Sequence, residues 1–580
     1  MTALITALDN YTPRQLGENG HVEYGWSNSI KEKILQFSFQ CTRTDEDGVK
    51  SLKNVLVDML DCLSKQKLGG LFVDETKAYL SILYRMIGHT RDIIDGKGEC
   101  TLTYMMIHTW YSYFPELSLF ALKCLVDHGD KKIHQYGSWK DIKYFCDYCK
   151  SNGSPINHPL IQYSISLITD QLKKDYVSFL SQSTDVSLAA KWAPREKSAY
   201  NWIYTSLATY YFSEFIVTAK LNTPSYSKAV LKCKTEFRKV LSVLNKYIDT
   251  LQIKQCSKTW AKIDFNKVTS VSLSKQKKSL LNITKNGEVR YRYNEDRIAC
   301  AVNFQTHIDK AVKGEVYMKG KRVSMCDFTK QALDILKNPD QPGIDLEINL
   351  LNAQWNDNSS QNAGVGNMIA MVDVSGSMEG DPLYAAIGLG IRIAEKSLLG
   401  KRVMTFSASP TWVNLDTSPD FVSQVKTLSK AEWGYNTNLQ SALDMILDSI
   451  IETKMDPKDV KNMVLVILSD MQIDAADKCD TNILYDMIRL KYADAGIRLH
   501  GTPYDPPHLL FWNLRSTTGC PSLSNQVNVS MMSGFSPVLL NLFCDKGVDA
   551  LESYTPWSGL KECLDNERYT ILRSKFDEVY

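Results

Sequence analysis

Three short runs built almost wholly from apolar residues constrain this chain more than anything else in it: Met368-Ile-Ala-Met-Val-Asp, Met463-Val-Leu-Val-Ile-Leu-Ser and His508-Leu-Leu-Phe-Trp-Asn. Without polar alternation, runs of this length predict strands buried on both faces, which occur where helices cover both sides of a mainly parallel sheet. Helical spacing fills the gaps, with helices predicted over 382–397, 438–453 and 482–492. Arg402-Val-Met-Thr-Phe-Ser reads as another strand, with Thr411-Trp-Val-Asn-Leu as its antiparallel neighbour. This alternation predicts a Rossmann-like α/β domain over residues 366–580.

The preceding sequence has a different texture. From about residue 30 to 260, segments such as Val49-Lys-Ser-Leu-Lys-Asn-Val-Leu and Glu236-Phe-Arg-Lys-Val-Leu-Ser-Val-Leu place apolar residues three and four apart, which is one face of a helix. Short breaks at Lys67-Leu-Gly-Gly, Asp95-Gly-Lys-Gly and Ser151-Asn-Gly-Ser-Pro separate the segments. An all-α domain over 1–350 is predicted, built as HEAT-like helical repeats or as a bundle. The cluster Asn338-Pro-Asp-Gln-Pro-Gly and the polar run Asn356-Asp-Asn-Ser-Ser-Gln-Asn predict a linker over 351–365. A chain of 580 residues is too long for one compact core, so the multidomain reading fits its length.

Charge divides along the same line. Residues 1–350 carry 48 Lys and Arg against 37 Asp and Glu, whereas residues 351–580 carry 19 against 28. Residues 201–300 account for the N-terminal excess, with 18 basic and 7 acidic side chains. A polyanion partner for the helical part is one reading, and solvated helix faces are the other. The candidate contacts are Lys228, Lys232, Arg238, Lys239, Lys275, Lys277, Lys278, Arg290 and Arg292, with Tyr291 and Tyr293 interleaved so that stacking beside phosphate contacts is conceivable. No apolar run approaches the roughly 20 residues a membrane-spanning helix needs. The start Met1-Thr-Ala-Leu-Ile-Thr-Ala-Leu lacks the features of a secretory signal, and 14 cysteines without regular spacing suit a reducing, cytoplasmic setting.

In a sheet of this kind ligands gather at the carboxyl ends of the strands. Three predicted strand or helix ends carry oxygen donors there: Asp373, Ser375 and Ser377 after the first run, Thr437 before a helix, and Asp470 after the central run. Hydroxyls, carboxylates and water suit a hard ion such as Mg²⁺, with Mn²⁺ and Ca²⁺ as alternatives. An ion held this way keeps charge in reserve, so an acidic group from a partner protein could replace a water and dock on it.

Asp373-x-Ser375-x-Ser377 followed by Thr437 and Asp470 resembles the metal-ion-dependent adhesion motif of von Willebrand factor A domains. Tyr136-Gly-Ser-Trp-Lys-Asp-Ile, Ser187-Leu-Ala-Ala-Lys-Trp-Ala-Pro, Trp260-Ala-Lys-Ile-Asp-Phe-Asn-Lys-Val, Trp433-Gly-Tyr-Asn-Thr-Asn and Phe511-Trp-Asn-Leu-Arg resemble the "domain of unknown function 2828" proteins of plants, fungi and giant DNA viruses. The layout is more remotely similar to the TROVE-domain Ro autoantigens. That likeness implies a ring of helical repeats joined to a von Willebrand A domain, and a capacity to bind structured RNA.

Other motifs carry less. Cys146-Asp-Tyr-Cys149 lacks a second ligand pair and reads as buried structural thiols. Asp95-Gly-Lys-Gly-Glu lacks the leading glycine and trailing Ser or Thr of a phosphate loop and reads as a turn. The nine histidines form no ligand cluster, no motif supplies a nucleophile with a base, and no small-molecule substrate is evident. Arg515, at the exit of the third run, could meet an acidic group at the metal rim. The expectation is therefore a non-enzymatic, ribonucleoprotein-type binding protein, cytoplasmic or packaged in a virion. A protein scaffold without nucleic acid comes second, and a metal-dependent enzyme third.

Overall fold

The computed structural model describes residues 11–580 apart from 70–72, 218–220, 222, 432–433, 435, 475–483 and 545–550. Strands β1 (Arg14–Leu16) and β2 (Val22–Tyr24) form a small antiparallel hairpin. Strands β3 (Met368–Asp373), β4 (Arg402–Phe406), β5 (Thr411–Asn414), β6 (Val464–Ser469), β7 (His508–Asn513) and β8 (Val529–Ser533) form one sheet in the order β5-β4-β3-β6-β7-β8. Every pairing in it is parallel except β4 with β5. Strand β8 goes beyond the sequence reading, because Val529-Ser-Met-Met-Ser has no apolar run to mark it.

The unbroken apolar runs exist because this sheet has a core on each face. Met368, Ala370 and Val372 of β3 point into one core, together with Val466, Leu468, Leu510 and Trp512. Ile369 and Met371 point into the other, with Leu465, Ile467, Leu509 and Phe511. Helices Asp381–Lys396 and Phe421–Leu428 cover the first face, and helices Leu439–Thr453 and Leu484–His500 cover the second. The last of these runs eight residues beyond the predicted end at Tyr492, whereas the start predicted at Asn482 lies outside the described residues. Each fully buried aliphatic side chain contributes about 1.5–3 kcal/mol, so a polar residue on either face of β3 or β6 would be costly.

The N-terminal part is helical, as predicted, with helices such as Glu46–Gly69, Val73–Arg91, Cys100–Tyr111, Trp139–Ser151, Pro159–Leu180 and Pro224–Ile248 sharing one core. Its boundaries are not those predicted. The linker over 351–365 is displaced by helix Ile344–Ser359, which begins at the left-handed Gly343 and buries Leu350, Leu351 and Trp355. The polar run misleads because two of its three asparagines point inward. Asn358 and Asn362 are buried and accept from Nη1 of the fully buried Arg392, at 3.2 and 2.9 Å. Helices Met325–Lys337 and Ile344–Ser359 thus pack on the sheet, though both begin before residue 350.

The chain's last helices cross the other way. Pro556–Leu564 and Thr570–Val579 send Leu560, Leu564, Tyr569, Leu572 and Phe576 into the N-terminal helical core. Arg568 seals this joint with two bonds to the fully buried Asp92, Nε to Oδ2 at 2.5 Å and Nη2 to Oδ1 at 2.6 Å. His89 lies beside it, its Nδ1 3.3 Å from the Tyr569 hydroxyl. Burial, reinforced by the nearby Lys97 ammonium, pushes the His89 imidazole down from 6.5 to about 3. The unfolded chain takes up this proton near its ordinary pKa and the folded chain does not. Stability should therefore fall as pH drops from 6.5 toward about 3, by up to about 1.4 kcal/mol per pH unit from this group. Denaturant melts between neutral and mildly acidic pH should show a shallower acid slope in His89→Gln than in the wild-type protein, and equal slopes would rule out this assignment.

Candidate metal centre

The chain enters the large sheet at β3, extends to β4 and β5 on one side, and returns to place β6 on the other. Strand order therefore reverses between β3 and β6, which opens a crevice beyond their carboxyl ends. Asp373 ends β3 and Asp470 follows the last residue of β6. Both carboxylates are wholly buried there.

Three loops meet at this crevice. In the first, Asp373 Oδ1 accepts from the Ser375 backbone N–H at 2.9 Å, and the Ser375 and Ser377 hydroxyls lie 3.1 Å apart. Next to it, the Val374 N–H donates to the Phe406 carbonyl and the Asn438 N–H to the Ser407 carbonyl, which brings Thr437 against the ends of β3 and β4. The third loop is tied to the second: the Thr437 N–H donates to Asp474 Oδ2 at 2.8 Å, and the Asp474 N–H returns a bond to the Thr437 carbonyl at 3.0 Å. It is tied to the first through Ser469, whose hydroxyl donates to Asp373 Oδ2 at 2.5 Å. Met471 turns the chain after Asp470 in the left-handed region, at φ 64°, and its N–H caps the Ser469 hydroxyl at 3.0 Å. A left-handed methionine is strained, and it is held here by bonds on both sides.

The arrangement leaves an electrostatic deficit. Burial, and then the neighbouring Asp470, push the Asp373 carboxyl up to about 7, although Ser375 and Ser469 donate to it. Asp470 is raised as well, first by burial, while the Gln472 N–H, Ser377 and Arg515 draw it back. Thr437 Oγ1 and Asp470 Oδ2 are buried with no hydrogen-bond partner. Buried polar atoms in folded proteins nearly always have partners, so two without hydrogen bonds on loops that meet at one crevice are candidates for a ligand. A cation fits on charge, and the donor set of three hydroxyls and two carboxylates suits a hard ion. Among the described residues no group of three His, Cys, Asp or Glu side chains is placed to hold a metal ion, so a cation here would depend on the hydroxyls.

Several neighbours went unread in the sequence. Ser469 and Asp474 position the ligands, and Ser-Asp after a strand gives no sign of that. The hairpin β1–β2 leans on the same loop, with Asn19 donating to the Gln472 carbonyl at 2.8 Å and Gly20 bridging Asp474. Arg515 does stand at the rim, its Nε 3.9 Å from Asp470 Oδ2 and its Nη2 3.3 Å from the Glu379 carbonyl. Arg43, from the helical part, reaches both Glu99 and Asp381 just beyond the first loop. Trp433 and Tyr435, part of the Trp433-Gly-Tyr-Asn-Thr-Asn motif, lie outside the described residues.

The basic residues are not brought together. Lys228, Lys232, Arg238 and Lys239 are exposed on helix Pro224–Ile248, whereas Lys275, Lys277 and Lys278 belong to helix Ser270–Leu280, beside a separate small core. Arg238 pairs with Glu196 at 2.6 Å, Lys239 with Glu236 at 2.8 Å and Lys277 with Glu347 at 2.7 Å. Lys278 is 3.7 Å from Glu347, and Arg290 and Arg292 are exposed beside Tyr291 and Tyr293. Cys146 and Cys149 are buried free thiols raised by burial. Lys97 of the Asp95-Gly-Lys-Gly turn is buried, donating to the Ser38 and Cys41 carbonyls and to Ser533 Oγ. No described helix is long and apolar enough to cross a membrane.

Comparison with known proteins divides the chain near the same place. Residues 367–571, which hold the large sheet and the crevice, match a family model described as "Domain of unknown function (DUF7788)". Residues 157–292, in the helical part, match "Domain of unknown function (DUF2828)", so the likeness read from sequence motifs is matched over that stretch. Across 568 residues the chain is 27% identical to "Uncharacterized protein L728" of Acanthamoeba polyphaga mimivirus, covering 94% of this chain and 86% of that one. The chain is thus similar to a giant-virus protein over nearly its whole length, with a DUF2828 segment in its helices and a DUF7788 segment around the crevice.

Proposed function

We propose that this protein is a cation-dependent docking protein, with a von Willebrand factor A-like domain that holds Mg²⁺ or a similar ion on Asp373, Ser375, Ser377, Thr437 and Asp470. The observation that carries this reading is the pair of buried oxygens without a hydrogen bond, Thr437 Oγ1 and Asp470 Oδ2, on loops that meet beside a second buried carboxylate. Ser377 is the half-buried member of the set and marks the side open to solvent. An acidic side chain of a partner would enter there, where Arg515 offers it a second cationic contact. The reading is binding rather than turnover. Hydroxyl-rich ligands activate water poorly compared with histidine-bound zinc.

Binding of RNA by the helical part is the second element of the proposal. It rests on the exposed Lys228, Lys232, Lys275, Arg290 and Arg292, and it follows the ribonucleoprotein-type layout that the TROVE likeness implies. Buried free thiols such as Cys41, Cys124, Cys146, Cys149 and Cys300 suit a reducing compartment such as the cytoplasm. The test is a crosslinked pulldown with the full chain in Mg²⁺ and in EDTA, scored separately for protein and RNA. Protein recovered in Mg²⁺ and lost in EDTA is the expected result, and recovery indifferent to EDTA would refute cation-dependent docking. RNA recovered at low salt and released as salt rises supports the second element, and none at low salt removes it.

A further inference from the structure

Away from the crevice, the helical part holds a cluster of three lysines and three aromatic rings. The Lys143 ammonium sits among three rings, 4.5 Å from the centre of Tyr144, 5.1 Å from Tyr200 and 5.8 Å from Trp192. Lys140 lies 5.3 Å from Tyr144 and 5.9 Å from Trp192, and Lys191 lies 5.6 Å from Trp192. The rings are half-buried, so part of each remains open to solvent. Among the described residues none of these three ammonium groups forms an ion pair with a carboxylate. Asp147, one turn beyond Lys143 on helix Trp139–Ser151, does not reach it, and Glu196 is engaged by Arg238. Lysines on aromatic rings can be mere cover, the stems shielding apolar surface while the charges stay wet. Mutual repulsion among three unpaired charges argues for an anion among them. Burial, with Lys140 contributing, lowers the Lys143 ammonium accordingly.

A second observation points to the size of the ligand. Lys140 and Tyr144 also form one wall of a cavity of about 670 Å³ between helices Glu46–Gly69, Cys100–Tyr111 and Trp139–Ser151. That volume is typical of small-molecule sites. Tyr148 and Lys53 line it too, as do Asp147 on the helix of Lys140 and Asp45 and Glu46 at the start of helix Glu46–Gly69. The Arg91–Asp141 pair at its floor is already satisfied, at 2.7 Å. A phosphate for the lysines, a flat ring for the tyrosines and an exocyclic amino group for the acidic side chains describe one kind of molecule.

We infer that this cluster and cavity form a nucleotide-binding site, with phosphate held by Lys140, Lys143 and Lys191 where the two meet and an amino-bearing base set in the cavity against Tyr144 and Tyr148. The site uses no metal and none of the lysines and arginines invoked for RNA above, so it stands or falls apart from the cation crevice. The same chemistry is offered by a free nucleotide and by the end of a single strand. Fluorescently labelled ATP and a labelled ten-residue oligodeoxyadenylate, each titrated with the full chain in EDTA at low salt and followed by anisotropy, separate the two. Binding of either probe, or of both, is expected, and it says which source the site takes. Lys140→Gln with Lys143→Gln should weaken the bound probe at least about tenfold, in line with the loss of two phosphate contacts. Tyr144→Ala should weaken it through lost stacking, and Lys239→Gln on another helix should leave it within about twofold. Exposed or half-buried lysines are replaced with little cost to folding, and matching melting curves would check this. Failure of both probes to bind, or equal binding by the double variant and the wild type, would overturn the assignment.

Discussion

Mg²⁺ in a hundredfold excess over its dissociation constant is expected to stabilise the protein by about 2.7 kcal/mol, because an ion that binds only the folded crevice shifts the equilibrium by mass action. For a domain of this size the melting temperature should rise by about 5–10 °C. Asp373→Ala is expected to abolish the rise while leaving the protein folded. The carboxylate it removes is buried beside another, and relief of that repulsion offsets the bonds lost from Ser375 and Ser469. Asp470→Asn sharpens the test. It keeps the shape of the side chain and removes its charge, so the melting temperature in EDTA should match or exceed that of the wild type while the response to Mg²⁺ is lost. Differential scanning fluorimetry of the three proteins with and without the ion reads all of this. A variant melting well below wild type in EDTA would mean that the carboxylates hold the loops together by themselves.

Arg568→Ala should destabilise the helical part by about 3–5 kcal/mol, since it leaves a buried carboxylate without its partner. Asp92 is fully buried, and Arg568 supplies both of its short charged bonds, leaving only neutral donors, the Ile94 N–H at 2.9 Å and the Tyr569 hydroxyl at 3.1 Å. Asp92→Asn should recover part of the loss in the double variant, because the two residues act as one unit and their effects do not add. Urea melts followed by circular dichroism would measure both. A loss below about 1 kcal/mol would place the joint among surface ion pairs that contribute little. The prediction bears on domain organisation. If the last helices complete the N-terminal core, removing residues 556–580 should unfold helices more than five hundred residues earlier in the chain, from Ile30 onward.

The sheet was legible in the sequence because burial on two faces leaves an uninterrupted apolar run, as in β3, β6 and β7. The five proposed ligands were legible because strand ends are fixed once strands are placed, and the structure brings their loops to one crevice. What failed was any inference from polarity alone. Asn358 and Asn362 read as linker and are core residues that hold Arg392. The basic residues of 228–292 were candidates for a polyanion contact from charge alone, and the structure divides them between two cores, several with carboxylate partners. Polarity says that a side chain needs a partner and not where the partner is. The joint between the last helices and Asp92 was beyond reach for a related reason. Its pairing spans 476 residues, and neither Asp92 nor Arg568 sits in a recognisable pattern.

Crystals grown or soaked in Mn²⁺ and measured at the manganese absorption edge would put the matter most directly. An anomalous peak is expected in the crevice, about 2.0–2.3 Å from the hydroxyl oxygens of Ser375, Ser377 and Thr437, with Asp373 and Asp470 bound directly or through water. A map of the same crystals with no peak there, or with manganese bound elsewhere while Thr437 Oγ1 and Asp470 Oδ2 stay unpartnered, would contradict the account.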